Sequence, residues 1–483
     1  MTEIPVSSFR DPAGFCCQWG GRILRFVAAE NAAALEAFLD SGVARKLAAD
    51  GRLVGTRKVP AAEAARWREN GLPEELAARA TTTVVFEHER VWFPSYPYEW
   101  TPEMLFEAGR LTLDLAVESL ADGFGLKDAT PYNILFRGSQ PVFVDVLSFE
   151  RRTAGDSVWL PYAQFVRTFL LPLLVNRRWG IRLADLLTTR RDGMEPQEVY
   201  RMCGTLERLS PSLLGLVSLP TWLSGNAERR GGAIYKSQPL GDPEKARFIL
   251  ETMLQGLRRK LESLNPKPRG DSTWSNYMGT HSYADAPFAA KEEFVKGVMG
   301  EFRPKRVLDI GANTGHFSAL AAGAGAEVVA IDYDPPCVGA VWRRAREQRL
   351  GILPLVVDFA RPSAGAGWRN RECPAFLQRA TGAFDCVLML AAIHHLLVTE
   401  RVPLEEILAL TAQLTTHLAV IEFVEPQDAM FQRLTRGREH LHAGLSHEVF
   451  EAACRPHFDL VRQAHLAGTQ RWLYLLRKKG GTA

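Results

Sequence analysis

From about residue 300 onward the chain alternates short apolar runs with helical patterns, and that alternation leaves few folds open to it. Apolar runs at 306–311, 327–332, 352–358, 384–390 and 417–424 are separated by helical periodicity, clearest at 316–323, 335–349 and 403–415. Strands that alternate with helices require right-handed crossovers, so an α/β, doubly wound parallel sheet is predicted. The end of the chain breaks the pattern. Residues 458–466, Gly468 and 471–477 read as an antiparallel hairpin.

The first run is the most informative. Residues 306–318 read Arg-Val-Leu-Asp-Ile-Gly-Ala-Asn-Thr-Gly-His-Phe-Ser, an apolar strand that ends in an acid and a glycine turn opening a helix. In open parallel sheets ligands bind beyond the carboxyl ends of strands, where glycine lets backbone approach them closely. Gly311, Asn313 and Gly315 form G-x-N-x-G, and His316 occupies the place of the third glycine of a dinucleotide fingerprint, which argues against a pyrophosphate cradle. The form D-x-G-x-N-x-G, with the terminal hairpin, resembles class I S-adenosylmethionine-dependent methyltransferases. Asn313 stands where that family usually has glycine, a mild departure because Asn tolerates left-handed backbone. The resemblance implies a seven-stranded Rossmann-like sheet over 301–483, with S-adenosyl-L-methionine as cofactor.

It also implies roles by position. Asp332 closes the second strand, where an acid can accept from both ribose hydroxyls. Asp358 matches the position that takes the adenine amino group. Asp309 either orients the methionine portion or simply caps the turn. Gly311, Asn313 and Gly315 complete the cofactor set. His394 and His395 follow the fourth strand, where a family histidine lies near the sulfonium; they read as proton acceptors or as shape-filling cofactor contacts. Methyl transfer is an in-line displacement, so alignment is its first requirement. Adjacent helical residues point to different faces, so the two histidines do not make a metal pair, and no metal is expected. Glu422 and Asp428 bind a substrate cation, act as base, or cap the next turn. Arg433, Arg436 and Arg438 form an anion clamp or a solvated helix face. Trp274 and Tyr277, upstream of the first strand, read as a lid whose aromatic faces suit a sulfonium, or as packing between domains. Tyr277 joins His394, His395 and Glu422 as a catalytic candidate.

The N-terminal half carries a second signal. A strand-rich stretch at 81–99 and an amphipathic helix at about 102–121 precede Leu126-Lys-Asp128-Ala-Thr-Pro-Tyr-Asn133, a short hairpin and Asp145. The D-x-x-x-x-N spacing, the hairpin and the second aspartate resemble the catalytic loop of kinase-like phosphotransferases. The resemblance implies that Asp128 orients a hydroxyl while Asn133 and Asp145 hold magnesium. Leu126 stands where that family has histidine, no glycine-rich phosphate loop precedes it, and nothing singles out Lys58 as the phosphate-pairing lysine. The expectation is a kinase-like α+β scaffold turned binding or docking domain. A charged helix at about 242–264 ends in Asn265-Pro-Lys-Pro-Arg-Gly-Asp, a linker by composition. The predicted domains are 1–264, a linker and lid at 265–300, and 301–483.

Composition narrows partners and compartment. A chain of 483 residues with 46% hydrophobic content forms two or more folded domains. A net charge of +3 without a lysine-rich tract gives no nucleic-acid footprint. Seven scattered cysteines without C-x-x-C argue against a zinc ribbon or a disulfide framework and fit a cytoplasmic protein. The longest greasy stretch, 169–175, contains Pro172 and is too short for a membrane span, and polar residues 1–15 do not read as a secretory leader. The two-domain order, through Leu-Lys-Asp-Ala-Thr-Pro-Tyr-Asn-Ile-Leu-Phe and Asp-Ile-Gly-Ala-Asn-Thr-Gly-His-Phe, resembles NoeA-like nodulation-related methyltransferases over most of the chain. That implies methyl transfer to a small-molecule or carrier-bound acceptor. The rivals are aminocarboxypropyl transfer from the same cofactor, a kinase-like phosphotransferase fused to a regulatory nucleoside-binding module, and a non-catalytic nucleoside-binding protein.

Overall fold

The five apolar runs become parallel strands of one sheet in a computed structural model that describes residues 6–8, 10–69, 73, 74, 76, 83–223, 240–267 and 285–480. They are β1 (Arg306–Ile310), β2 (Glu327–Asp332), β3 (Ile352–Val356), β4 (Phe384–Met389) and β5 (Thr415–Val424). The terminal hairpin supplies β6 (Phe458–His465) and β7 (Arg471–Lys478); β7 runs antiparallel to both β5 and β6, giving the order β3-β2-β1-β4-β5-β7-β6. The order reverses between β1 and β4, so a crevice opens at their carboxyl ends. Register aligns those ends: Asp309 lies opposite Ala330 of β2 and Leu388 of β4.

Helices cover both faces, which is why the parallel strands are continuous apolar runs. They include α1 (Asp285–Phe302), α2 (His316–Gly323), α3 (Pro335–Gln348), α4 (Ile393–Val398), α5 (Leu404–Leu414), α6 (Ala429–Thr435) and α7 (His447–Cys454). Val295 and Val298 of α1 join Val307, Val328, Leu388, Val420 and Leu475 in one core cluster.

The chain divides into two compact units, Met1–Phe136 with Pro141–Pro266 and Gly365–Cys373, and Arg137–Gln140 with Lys267–Ala364 and Pro374–Ala483. The first unit holds a five-stranded antiparallel sheet in the order Val6–Ser8, Gly14–Trp19, Arg22–Ala28, Thr83–His88, Thr56–Lys58. Among the described residues of 81–99, read as strand-rich, only Thr83–His88 is a strand; Pro94 and Pro97 cannot donate to a ladder, and Pro97–Glu99 is a 3-10 turn. The following helix spans Pro102–Glu118, capped by the Thr101 hydroxyl, and tightens into a 3-10 turn over Ser119–Asp122. The hairpin after the Asp128 loop pairs Ile134–Arg137 with Gln140–Phe143. Among the described residues no helix is long and apolar enough to cross a membrane.

The glycine turn shows why its second glycine is needed. Gly315 has φ +75°, and a Cβ there would stand 2.9 Å from both methyls of Val341 on α3. Replacement therefore meets backbone strain and a clash at once. Gly315→Ala is expected to cost about 2 to 4 kcal/mol in urea denaturation. Gly323→Ala, where a Cβ meets nothing within 4 Å, should change stability by no more than about 0.5 kcal/mol.

Candidate active site

The turn after β1 is tied to the end of β2. The Gly311 and Ala312 amides donate to the Ile331 carbonyl at 2.9 and 3.0 Å. Asn313, at φ +49°, donates its backbone N–H to Asp332 Oδ2 at 2.9 Å, and the Asp334 amide donates to Oδ1 at 3.0 Å. Burial raises the Asp332 pKa, against the pull of those amides. Gly311, at φ +73°, has so little room that a Cβ would lie 3.1 Å from Ala392 Cβ, in the loop leaving β4. Ala391 in that loop is left-handed at φ +57°. A non-glycine residue held there stores about 1 to 2 kcal/mol of strain, a feature that gathers where backbone is shaped for a ligand.

Asp309 is buried and accepts the Ser318 hydroxyl at 2.5 Å, so it fastens α2 to β1. Burial pushes its pKa up to about 6. Asp358 lies two residues beyond β3, half-buried, accepting the Ala360 amide at 3.0 Å with the Arg361 guanidinium 3.0 Å away. His394 is 1% exposed on α4, and among the described residues neither ring nitrogen has a hydrogen-bond partner. Its ring centroid is 4.3 Å from that of the partly buried His395. Burial drives the His394 pKa well below the ordinary value, helped by His395, Arg471 and Lys291; burial and Arg471 lower His395 as well.

Lys291 and Arg471 were not among the predicted site residues. Glu422, 0% exposed near the end of β5, is gripped by both: its Oε2 by the Lys291 ammonium and its Oε1 by Arg471 Nη1 at 3.1 Å. Burial opposes ionisation of Glu422, but the two cations outweigh it and hold its carboxyl below the usual range. Arg471 continues to Asp428 through Nε at 2.8 Å and Nη2 at 3.2 Å, while Asp428 also caps α6 through the Met430 amide at 2.9 Å. Glu422 thus sits inside a charged chain, not on an open wall, and Asp428 combines turn capping with ion pairing. The Lys291 ammonium also stands 5.0 Å from the Phe317 ring centroid. A signal for Lys291 existed: 288, 291, 295 and 298 form one apolar stripe of α1 interrupted by a lysine. Arg433, Arg436 and Arg438 are exposed. Trp274 and Tyr277 lie outside the described residues.

In the first unit Asn133 and Asp145, the residues expected to hold magnesium, are linked by one hydroxyl. Asn133 Nδ2 donates to Ser148 Oγ at 3.0 Å, and that hydroxyl donates to Asp145 Oδ2 at 2.6 Å. Burial, then the Asp145 charge, raises the pKa of Asp128. Lys58 is half exposed and pairs with Glu36 at 2.7 Å; the cation on Asp145 is Arg25, 3.1 Å from Oδ1.

Residues 285–469 match a family model described as a methyltransferase domain. With the strand order and the glycine turn, this defines the class as an S-adenosylmethionine-dependent methyltransferase. Along nearly its full length the chain is also 30% identical, over 477 residues, to the nodulation protein NoeA of Rhizobium meliloti (strain 1021), covering 98% of this chain and 96% of that one. It belongs to the NoeA family. Among solved structures, the N-methyltransferase NodS from Bradyrhizobium japonicum WM9 in complex with S-adenosyl-l-homocysteine aligns at TM-score 0.31 and 15% identity, over 47% of this chain and 97% of NodS. The bifunctional kinase-methyltransferase WbdD aligns at TM-score 0.27 and 18% identity, over 44% of this chain and 42% of WbdD. The strand order, not these scores, defines the fold.

Two outcomes follow from the buried charges. Lys291→Met leaves Glu422 with half its compensation and should cost about 3 to 5 kcal/mol in urea denaturation. Adding Glu422→Leu should recover part of that loss, because Arg471 keeps Asp428. Asp309 has a raised pKa, so its contribution to stability is full below the ordinary aspartate range and is lost as pH rises toward about 6. The stability of the native chain relative to Asp309→Asn should therefore fall between pH about 4 and about 6, and a pH-independent difference would contradict the assignment.

Proposed function

We propose that the second unit binds S-adenosylmethionine along the carboxyl ends of β1, β2 and β4 and transfers its methyl group to a small-molecule or carrier-bound acceptor that meets His394. The observation that carries this reading is His394 itself. A buried imidazole with both nitrogens unpartnered is costly to leave so, and a bound polar group relieves the cost. It lies two residues beyond Ala392, the side chain that closes on Gly311.

The surrounding residues fit the cofactor. Asp332 keeps acceptor capacity beyond its backbone amide donors and suits a ribose diol. Gly311 lets the backbone approach, and Asp358 lies at the next strand end for the adenine amino group. Asp309, spent on Ser318, holds the turn. The cofactor supplies an electrophilic methyl on a cationic sulfur. Burial, reinforced by His395 and by the positive charges of Arg471 and Lys291, disfavours the protonated form of His394. Its part is therefore to orient the acceptor by hydrogen bonding, not to retain a proton. Glu422 positions the two cations.

For the first unit, the antiparallel sheet followed by the Asp128 loop, hairpin and Asp145 supports a kinase-like scaffold. We assign it to acceptor docking.

Calorimetry with S-adenosylhomocysteine tests the cofactor site. Asp332→Ala is expected to weaken binding at least about tenfold, which is about 1.4 kcal/mol, and Asp358→Ala to weaken it less. Unchanged affinity in Asp332→Ala would sink the assignment.

A further inference from the structure

The charge arrangement at Asp145 departs from the magnesium site that its motif implies. Arg25 comes from Arg22–Ala28, the middle strand of the antiparallel sheet, where it stands opposite Cys16 on one side and Phe86 on the other. It is 5% exposed. Its Nε donates to His88 Nε2 at 3.0 Å, and its Nη2 lies 3.1 Å from Asp145 Oδ1.

His88 is a neutral partner. Because Nε2 accepts from the guanidinium, the ring proton resides on Nδ1 and is donated to Thr56 Oγ1 at 2.8 Å; that hydroxyl donates onward to the Val54 carbonyl at 3.1 Å. Burial, reinforced by the Arg25 charge, pulls the His88 pKa down to about 3. Asp145 is then the carboxylate that balances Arg25. Its second oxygen is taken by Ser148, whose own oxygen accepts from Asn133. The neighbouring charged groups do not change this balance. Lys127 lies 3.5 Å from Asp11, and Asp128 is shifted toward its neutral form by burial first and by the Asp145 charge second.

A dication on Asp145 would have to displace the guanidinium or sit beside it. Displacement strands a buried cation against a neutral imidazole, a penalty of several kcal/mol, and coexistence puts like charges together. We propose that Arg25 is the resident counter-cation of the Asp128, Asn133 and Asp145 cluster, that the first unit holds no divalent cation there, and that this cluster performs no phosphoryl transfer. Asp145 acts as a strut that fastens the middle strand of the sheet to the segment following the hairpin. This does not rest on the methyltransferase reading.

The test is Mn2+ binding by the full chain, followed by electron paramagnetic resonance of the free ion, with and without ATP. In the native chain, no saturable Mn2+ or Mn2+-ATP binding should depend on Asp145. Arg25→Met keeps an apolar stem, frees the carboxylate, and should raise Mn2+ affinity at least about tenfold, a gain removed by adding Asp145→Asn. Asp145→Asn alone should lower Tm, because Arg25 loses its counter-ion. Saturable Mn2+ or Mn2+-ATP binding by the native chain that Asp145→Asn abolishes would overturn the proposal. So would a folded Arg25→Met that gains no Mn2+. If Arg25→Met fails to fold, the comparison of native chain with Asp145→Asn still decides.

Discussion

A carboxylate with no solvent contact dictates what must surround it, and Glu422 does this at the carboxyl end of β5. Left unpaired, an ionised side chain there would cost many kcal/mol, so it is met by a cation on each oxygen. Those cations come from distant parts of the chain, Lys291 from the helix before β1 and Arg471 from the first residue of β7. Arg471 in turn grips Asp428, which caps α6. One buried acid thereby ties the entry helix, the fifth strand, the terminal hairpin and the following helix together at the edge where the crevice opens.

The same cations set the chemistry of their surroundings. They hold Glu422 ionised, and they add to the burial that makes protonation of His394 unfavourable. The rest of the crevice is shaped by backbone. Asn313 and Ala391, both left-handed, belong to the two loops that bracket Gly311, and the Asp332 carboxylate pins the first of them. Between side-chain electrostatics on one side and strained turns on the other lies His394, a buried polar group whose ring nitrogens find no hydrogen-bond partner among the described residues.

Much of the second unit was legible because its signals are local. A strand buried on both faces has to be continuously apolar, so each of the five runs appeared within about two residues of its observed limits. The hairpin was legible from its glycine turn and the absence of an intervening helix. Residues 81–99 were less so, since β-rich composition does not reveal that Pro94 and Pro97 end the ladder early. In the first unit the pairing of Asp145 with Arg25 escaped reading, while Lys58, the lysine considered for a phosphate, turns to Glu36 at the surface.

By itself, then, the amino-acid order determined the parallel sheet, the glycine turn with Asp309, Gly311, Asn313 and Gly315, and the strand-end positions of Asp332 and Asp358, because periodicity and turn chemistry act over a few residues. Only the tertiary structure decided which charges meet. Lys291 and Glu422 are 131 positions apart, and Arg25 and Asp145 are brought together by a sheet and a loop. Coulomb energies depend on distance through space and on burial, and neither is written in the spacing of residues along a chain.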